Sequence, residues 1–352
     1  MKTSFKFFAA LLFIGNSTFA QDVAKQVDSI IKSNYEQNPA IGISVGLINN
    51  GKVSFTAYGK LSKESATDID RNSIFEIASV TKILTSNMIA QAAIENKLKL
   101  NDYIDSYLPK QYVLQQNLQH KIKISDLASH QSGLPDIDFG KLIALNPQQP
   151  VNSITADSLS AIINNCSALI DYGKYRYSTI GYTLLGQILE EVYHKSYDEI
   201  IRKKILKPAK MNNTLTKDFD VKNITTGYNP DGGAQEFFKW NITAPAGLIK
   251  ANATDMISYL KAVLTAGNTI SAAALLTEKI YYKDEKREMG LGTNIITDDK
   301  NTIYLKTGDS MGQSSIIAYN RVKNWGLIIL INKRDSKMRQ NLLNKIVETV
   351  LN

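Results

Sequence analysis

The order of elements along this 352-residue chain predicts an α/β fold. The expected architecture is an antiparallel sheet built from the N- and C-terminal segments and flanked by helices, with an all-α region inserted between them. Three observations carry this. Residues 41–60 read as a hairpin: Ile41 to Ile48 is apolar, Asn49-Asn50-Gly51 supplies a turn, and Val53 to Tyr58 alternates. The last hundred residues break into short β-rich runs, Gly290–Ile296, Thr302–Lys306, Ser314–Tyr319 and Trp325–Ile331, parted by turn signals such as Asp298-Asp299. Between these two regions the periodicity is mainly helical.

The chain begins with a basic stretch containing Lys2 and Lys6. An apolar run from Phe7 to Gly15 follows, then the small-x-small sequence Thr18-Phe19-Ala20. This pattern predicts a secretory leader cut after Ala20 and a periplasmic or secreted protein. The apolar run is too short to span a bilayer as a helix. Residues 22–36 place Val23, Val27, Ile30 and Ile31 on one helical face. Ile83 to Leu98 is a run of helix formers, and Ile122 to Leu127 starts another helix. Ser129 to Asp136 is a Gly/Pro turn. Residues 154–170 are helical, and the loop Tyr172–Thr179 feeds a helix from Ile180 to Val192. Further helices are expected over Tyr197–Ile205, 254–266 and 271–280, with a loop-rich region over 212–246. Asp335 or Ser336 caps a terminal helix, Lys337–Leu351. The mature chain, 21–352, reads as one domain, with its α/β part about 21–80 and 285–352 and its helical part about 81–284.

The chemistry points to Phe75-Glu-Ile-Ala-Ser79-Val-Thr-Lys82. At the start of a helix, Ser79 and Lys82 are i and i+3 and share a face. A serine hydroxyl is a weak nucleophile until a neighbouring base takes its proton. The positive end of a helix favours an oxyanion and lowers a lysine pKa. Ser-x-x-Lys also occurs at Ser29–Lys32 and Ser258–Lys261, both read as helix surface. Only Ser79 has an apolar run before it, a helix after it and a single Lys306-Thr307-Gly308 downstream. Gly42-Ile-Ser44-Val-Gly46 matches the spacing of a nucleophile elbow. Strand continues beyond Ser44 where an elbow requires a sharp turn and a helix, so it is set aside.

Composition narrows the rest. The formal charge is +8; 41 basic residues less the two in the leader, against 33 acidic ones, leave +6. The basic residues are scattered, with no nucleic-acid motif. Cys166 is the only cysteine, so no intramolecular disulfide forms, and its apolar surroundings give it a small core role. His120, His130, His194 and the carboxylates show no metal-ligand spacing, and no cofactor motif is present. A small-molecule or peptidoglycan-like substrate is the expected partner.

With these residues in hand, the chain resembles the class C β-lactamase and penicillin-binding-protein-like serine hydrolases. The anchors are Phe75–Lys82, His130-Gln-Ser-Gly-Leu-Pro135, Tyr177-Ser-Thr-Ile-Gly-Tyr-Thr-Leu-Leu-Gly186, Pro245-Ala-Gly-Leu-Ile249 with Asp255-Met256, and Lys306-Thr-Gly308, in that order from Ile41 to Ile331. The resemblance implies that Ser79 becomes acylated, Lys82 acts as base and Tyr177 passes the proton to the leaving group. It implies that Lys306 and Thr307 bind an anionic or amide part of the substrate, and that Gly308 leaves room for it. The backbone N–H groups of Ser79 and Asp309 would form the oxyanion hole. One departure stands out. The family's Tyr-x-Asn is Tyr177-Ser178-Thr179 here, and threonine lacks the amide's two N–H donors. Lys306 favours a β-lactam or peptide-like amide substrate. An esterase, D-aminopeptidase or acyltransferase of the same family is the alternative. A penicillin- or peptidoglycan-binding protein that does not turn over is the alternative of another class.

Overall fold

The computed structural model describes residues 11–38, 41–217 and 219–351. Its strands are β1 (Ile43–Asn49), β2 (Lys52–Tyr58), β3 (Phe75–Glu76), β4 (Gly227–Tyr228), β5 (Ala234–Gln235), β6 (Lys250–Ala251), β7 (Tyr282–Lys283), β8 (Glu288–Met289), β9 (Asn294–Thr297), β10 (Thr302–Asp309), β11 (Ser314–Asn320) and β12 (Trp325–Ile331). The helices are α1 (Leu11–Gln37), α2 (Thr81–Ile94), α3 (Ile124–Ala128), α4 (Phe139–Leu145), α5 (Ala156–Asn164), α6 (Thr179–Tyr193), α7 (Tyr197–Ile201), α8 (Ala244–Gly247), α9 (Ala253–Leu264), α10 (Thr269–Thr277) and α11 (Ser336–Leu351).

Eight strands form one antiparallel sheet in the order β2-β1-β12-β11-β10-β9-β8-β7. The N- and C-terminal segments meet within it, where β1 pairs with β12 from Ile43 opposite Ile331 to Asn49 opposite Trp325. Every residue of β1, β11 and β12 is buried, because helices cover both faces. That is why these strands read as apolar runs, while the half-buried β2 alternates in sequence. On one face Val23, Val27 and Ile31 of α1 and Leu342 and Ile346 of α11 pack against Val45, Leu47 and Ile329. On the other, α9 lies against β1 and β12. A Cβ on Gly46 would come 2.5 Å from Ile257, so the glycine allows that approach. Asp335 caps α11, its Oδ1 accepting from Met338 N at 2.9 Å.

Several elements depart from the sequence expectation. Residues 1–10 of the expected leader lie outside the described residues, and α1 runs from Leu11 through the expected cut to Gln37. The Gly290–Ile296 run is strand only from Asn294, where β9 begins; Gly290 to Thr293 turn the chain into it from β8, which ends at Met289. Gly290 packs so close to Thr277 that a Cβ would fall 2.0 Å from its carbonyl oxygen, and Gly292 turns the chain at φ +72°. The Tyr197–Ile205 helix stops at Ile201 and finishes as one wider turn, Arg202–Leu206. Helix α4 carries no buried residue and had no counterpart in the sequence reading. Ser44 sits inside β1, its hydroxyl donating to Asp70 O at 3.2 Å, with no elbow.

Candidate active site

The nucleophile is placed by a turn wedged between the sheet and the helical region. Strand β3 pairs with β6, and Ile77 N donates to Ile249 O at 3.1 Å. Beneath this pairing Glu76 and Lys250 are almost wholly buried. The Glu76 carboxylate accepts from Phe238 N at 2.9 Å and lies 3.5 Å from Lys250 Nζ. Ala78 then adopts φ +45°, a left-handed conformation uncommon for a residue with a Cβ. A single 3₁₀ turn, Ala78–Val80, carries Ser79 into α2. This turn sits directly against β10. A Cβ on Gly308 would lie 2.3 Å from Ile77 O and 3.0 Å from Ser79 N. The sequence reading gave Gly308 the task of leaving room for substrate; the room is filled first by the chain's own backbone.

Lys82 follows one turn later and is 1% exposed. Its ammonium nitrogen donates to Ala246 O at 2.7 Å and to Ser79 Oγ at 3.4 Å. The rings of Tyr177 and Tyr182 close around it, with centroids 4.8 and 5.3 Å away. Burial disfavours the charged amine and pulls its pKa down to about 7, against the opposing pull of Asp136. Desolvation, more than the helix terminus invoked from sequence, makes Lys82 a base at neutral pH.

Tyr177 completes the triad. Its hydroxyl lies 2.5 Å from Ser79 Oγ. Its ring stands between two ammonium groups, with Lys306 Nζ 5.0 Å from the centroid on the sheet side. Two residues hold the backbone that follows Tyr177. His130 Nδ1 accepts from Ser178 N at 3.2 Å, and the imidazole lies 4.7 Å from the Tyr177 ring. Burial among Lys306, Lys82 and Arg287 drives His130 well below the ordinary histidine range, so it stays neutral and can accept that bond. Asp136 receives both Thr179 N, at 2.9 and 3.0 Å, and Ile180 N, at 2.9 Å, at the start of α6.

The site opens into a cleft of about 300 Å³. Ser79, Lys82, Tyr177, Thr179 and Asp309 line it, so both expected oxyanion-hole residues face the same space. Lys306 is 3% exposed and lies beneath Tyr177, and neither it nor Thr307 belongs to the cleft wall. Adjacent on β10, those two side chains leave opposite faces of the strand. Burial, opposed by Tyr177, lowers the Lys306 pKa to about 8. The wall also contains Phe139 and Ile143 of α4, Val151, Phe238, Met311 and Arg334, none of which the sequence reading named. The other two Ser-x-x-Lys matches are helix surface: Ser29 and Ser258 each donate to a carbonyl one turn back. Cys166 is buried.

Residues 27–350 match the Beta-lactamase family. The chain belongs to that family. It is a β-lactamase/transpeptidase-like serine hydrolase. Protein flp of Staphylococcus aureus (strain MW2) is 24% identical over 93% of this chain and 67% of its own length. A β-lactamase of Pseudomonas fluorescens is 24% identical over 89% of this chain and 94% of its own. Among solved structures, the class C β-lactamase of Rhodobacter sphaeroides superposes with a TM-score of 0.80 at 20% identity, over 93% of this chain and 99% of that one. The β-lactamase/D-alanine carboxypeptidase of Pseudomonas syringae gives 0.81 at 20% identity, over 93% and 99%. This β-lactamase-family fold is therefore the sandwich expected from sequence.

Proposed function

We propose that this β-lactamase-family protein cleaves a β-lactam or a peptide-like amide through an acyl-enzyme on Ser79. The carrying observation is the linked set Lys82 Nζ, Ser79 Oγ and Tyr177 Oη, spanning 3.4 and 2.5 Å, with the lysine pKa near 7. Neutral Lys82 accepts the Ser79 proton, directly or through the Tyr177 hydroxyl. Ser79 Oγ bonds to the substrate carbonyl carbon, and the resulting oxyanion is met by the N–H groups of Ser79 and Asp309. The C–N bond then breaks, and the proton held by the lysine–tyrosine pair passes to the departing nitrogen. Water, activated by the same pair, cleaves the acyl-serine ester.

A second reading is supported by Thr179 at the mouth of the cleft. It offers no amide N–H donors where the relatives' asparagine would stand, so a substrate that presents an additional amide carbonyl to that position loses more than a simple ester that has none. D-Aminopeptidase and acyltransferase chemistry share that alternative. Steady-state turnover of a penicillin, a cephalosporin and a p-nitrophenyl ester, by wild type and Ser79→Ala, separates the cases. Ser79-dependent β-lactam turnover supports the first reading, and ester turnover alone supports the second. A single burst without turnover would mark a penicillin-binding role. Ser79-independent rates with all three would overturn the mechanism.

Export is proposed with it. The basic, apolar and small-x-small stretches before Gln21 support a leader cut after Ala20. Among the α1 residues whose side chains are described, those packed on the sheet are Val23, Val27, Ile30, Ile31 and Tyr35.

A further inference from the structure

One buried cation that the chemistry above does not use reaches the site from the far end of the chain. Arg339, in the first turn of α11, is 6% exposed and does not line the cleft. Its Nη1 donates to Gly308 O at 3.1 Å and to Asp309 Oδ1 at 2.5 Å. Gly308 O and the Asp309 N–H belong to one trans peptide unit. In such a unit the two groups point in opposite directions, so a partner that fixes the carbonyl also fixes the N–H. That N–H is one of the two donors expected to meet the oxyanion. The carboxylate is held a second time. Ser314 Oγ donates to Asp309 Oδ1 at 2.6 Å and accepts from Asp335 N at 3.0 Å, so the start of α11 and the end of β10 share one network. Arg339 Nε is buried without a hydrogen-bond partner. A buried guanidinium that leaves one N–H unmet is a costly way to hold Asp309 alone.

We infer that Arg339 is a positioning residue for the oxyanion hole: its guanidinium orients and polarises the Gly308–Asp309 peptide, so that the Asp309 N–H is a fixed and stronger donor to the carbonyl oxygen of the substrate that Ser79 attacks. This rests on the acyl-serine reading above. A cation on the peptide oxygen draws electron density from the N–H, and hydrogen bonds linked in this way strengthen one another. The gain is greatest when the substrate oxygen carries its full charge, so it falls on the rate of the chemical step more than on substrate binding. The other donor is tied separately. Ser315 Oγ donates at 2.7 Å to Ile77 O, in the turn that carries Ser79. Loss of Arg339 therefore weakens one donor and leaves the nucleophile's own turn anchored.

The test reads the acyl-enzyme itself. A slowly hydrolysed cephalosporin labelled with ¹³C at its β-lactam carbonyl is added to wild type, Arg339→Met and Arg339→Lys, and the infrared band of the acyl-serine ester is recorded. Steady-state kinetics with the same compound and with a p-nitrophenyl ester run alongside, and thermal melts show which variants fold. Arg339→Met is expected to move the ester band to higher wavenumber, because a weaker donor polarises the carbonyl less. Its kcat is expected to fall about tenfold, less than for outright removal of a donor, with KM changed by no more than about twofold. Arg339→Lys, which keeps the charge but not the planar fork, is expected to lie between, and it carries the test if the methionine variant does not fold. An unmoved band and an unchanged kcat in a folded variant, or a change in melting temperature or KM alone, overturns the role of Arg339 and leaves the acyl-serine reading standing. Absence of any Ser79-dependent acyl-enzyme or turnover in wild type overturns both.

Discussion

Replacing Lys82 with methionine separates the cost of burying a base from its use. Methionine fills much of the same volume without a charge to desolvate. In the unfolded chain a lysine titrates at 10.5; in the folded site it titrates at about 7. Between those values the unfolded chain holds a proton that the native site has released. Wild-type stability from this group therefore rises as the pH climbs from 7 towards 10.5, and the burial penalty is felt in full below 7. Across the two pH units from 7 to 9 the change amounts to about 3 kcal/mol at most. Lys82→Met removes this dependence. Its stability relative to wild type should be highest at pH 6–7 and should shrink by up to that amount at pH 9. Urea unfolding followed by the fluorescence of Trp240 and Trp325 reads both. Wild-type acylation should rise with pH through a midpoint near 7, and the variant should lose roughly 10²–10⁴ in rate. A stability difference between the two proteins that is the same at pH 7 and pH 9 would refute the claim that burial sets the lysine's pKa.

Tyr177→Phe keeps the ring between the two lysines and against His130 but removes the hydroxyl 2.5 Å from Ser79 Oγ. It should lower kcat by about 10²–10⁴ with an unchanged melting temperature, measured by steady-state kinetics and calorimetry. Gly308→Ala forces a methyl to 2.3 Å from Ile77 O, and should cost about 1–3 kcal/mol in urea unfolding while displacing Ser79. Asp136→Ala strips the acceptor from Thr179 N and Ile180 N, costing about 1–3 kcal/mol. It also removes the charge that holds the Lys82 pKa up, so the acid limb of kcat/KM should move to lower pH.

What the sequence revealed is what local geometry encodes. The i, i+3 spacing of Ser79 and Lys82 needs only a helix, and the strands of the central sheet announce themselves as apolar runs because both their faces are covered. The antiparallel sheet joining the two termini followed from those runs. The hidden features depend on distant partners. Asp136 is 43 residues from Thr179, whose N–H it receives, and lies in what reads as an ordinary Gly/Pro turn. His130 stood in the sequence only as the start of one family anchor; its bond from Ser178 N shows that it holds the chain next to Tyr177. Helix α4 is too short and too little buried to leave a periodic signal, yet it supplies Phe139 and Ile143 to the cleft. Arg339 is one of 41 basic residues in sequence and becomes distinctive only when its bond to Gly308 O is seen. Lys306 was legible as a site residue, but its burial under Tyr177 was not.

The most direct measurement is acid-quenched intact-protein mass spectrometry with a slowly hydrolysed cephalosporin, followed by peptide mapping, on wild type and Ser79→Ala. A single adduct on the peptide containing Ser79, absent from the alanine variant, is the expected result. The same adduct in Ser79→Ala, or its location on any other residue, would contradict acyl-serine catalysis at this site.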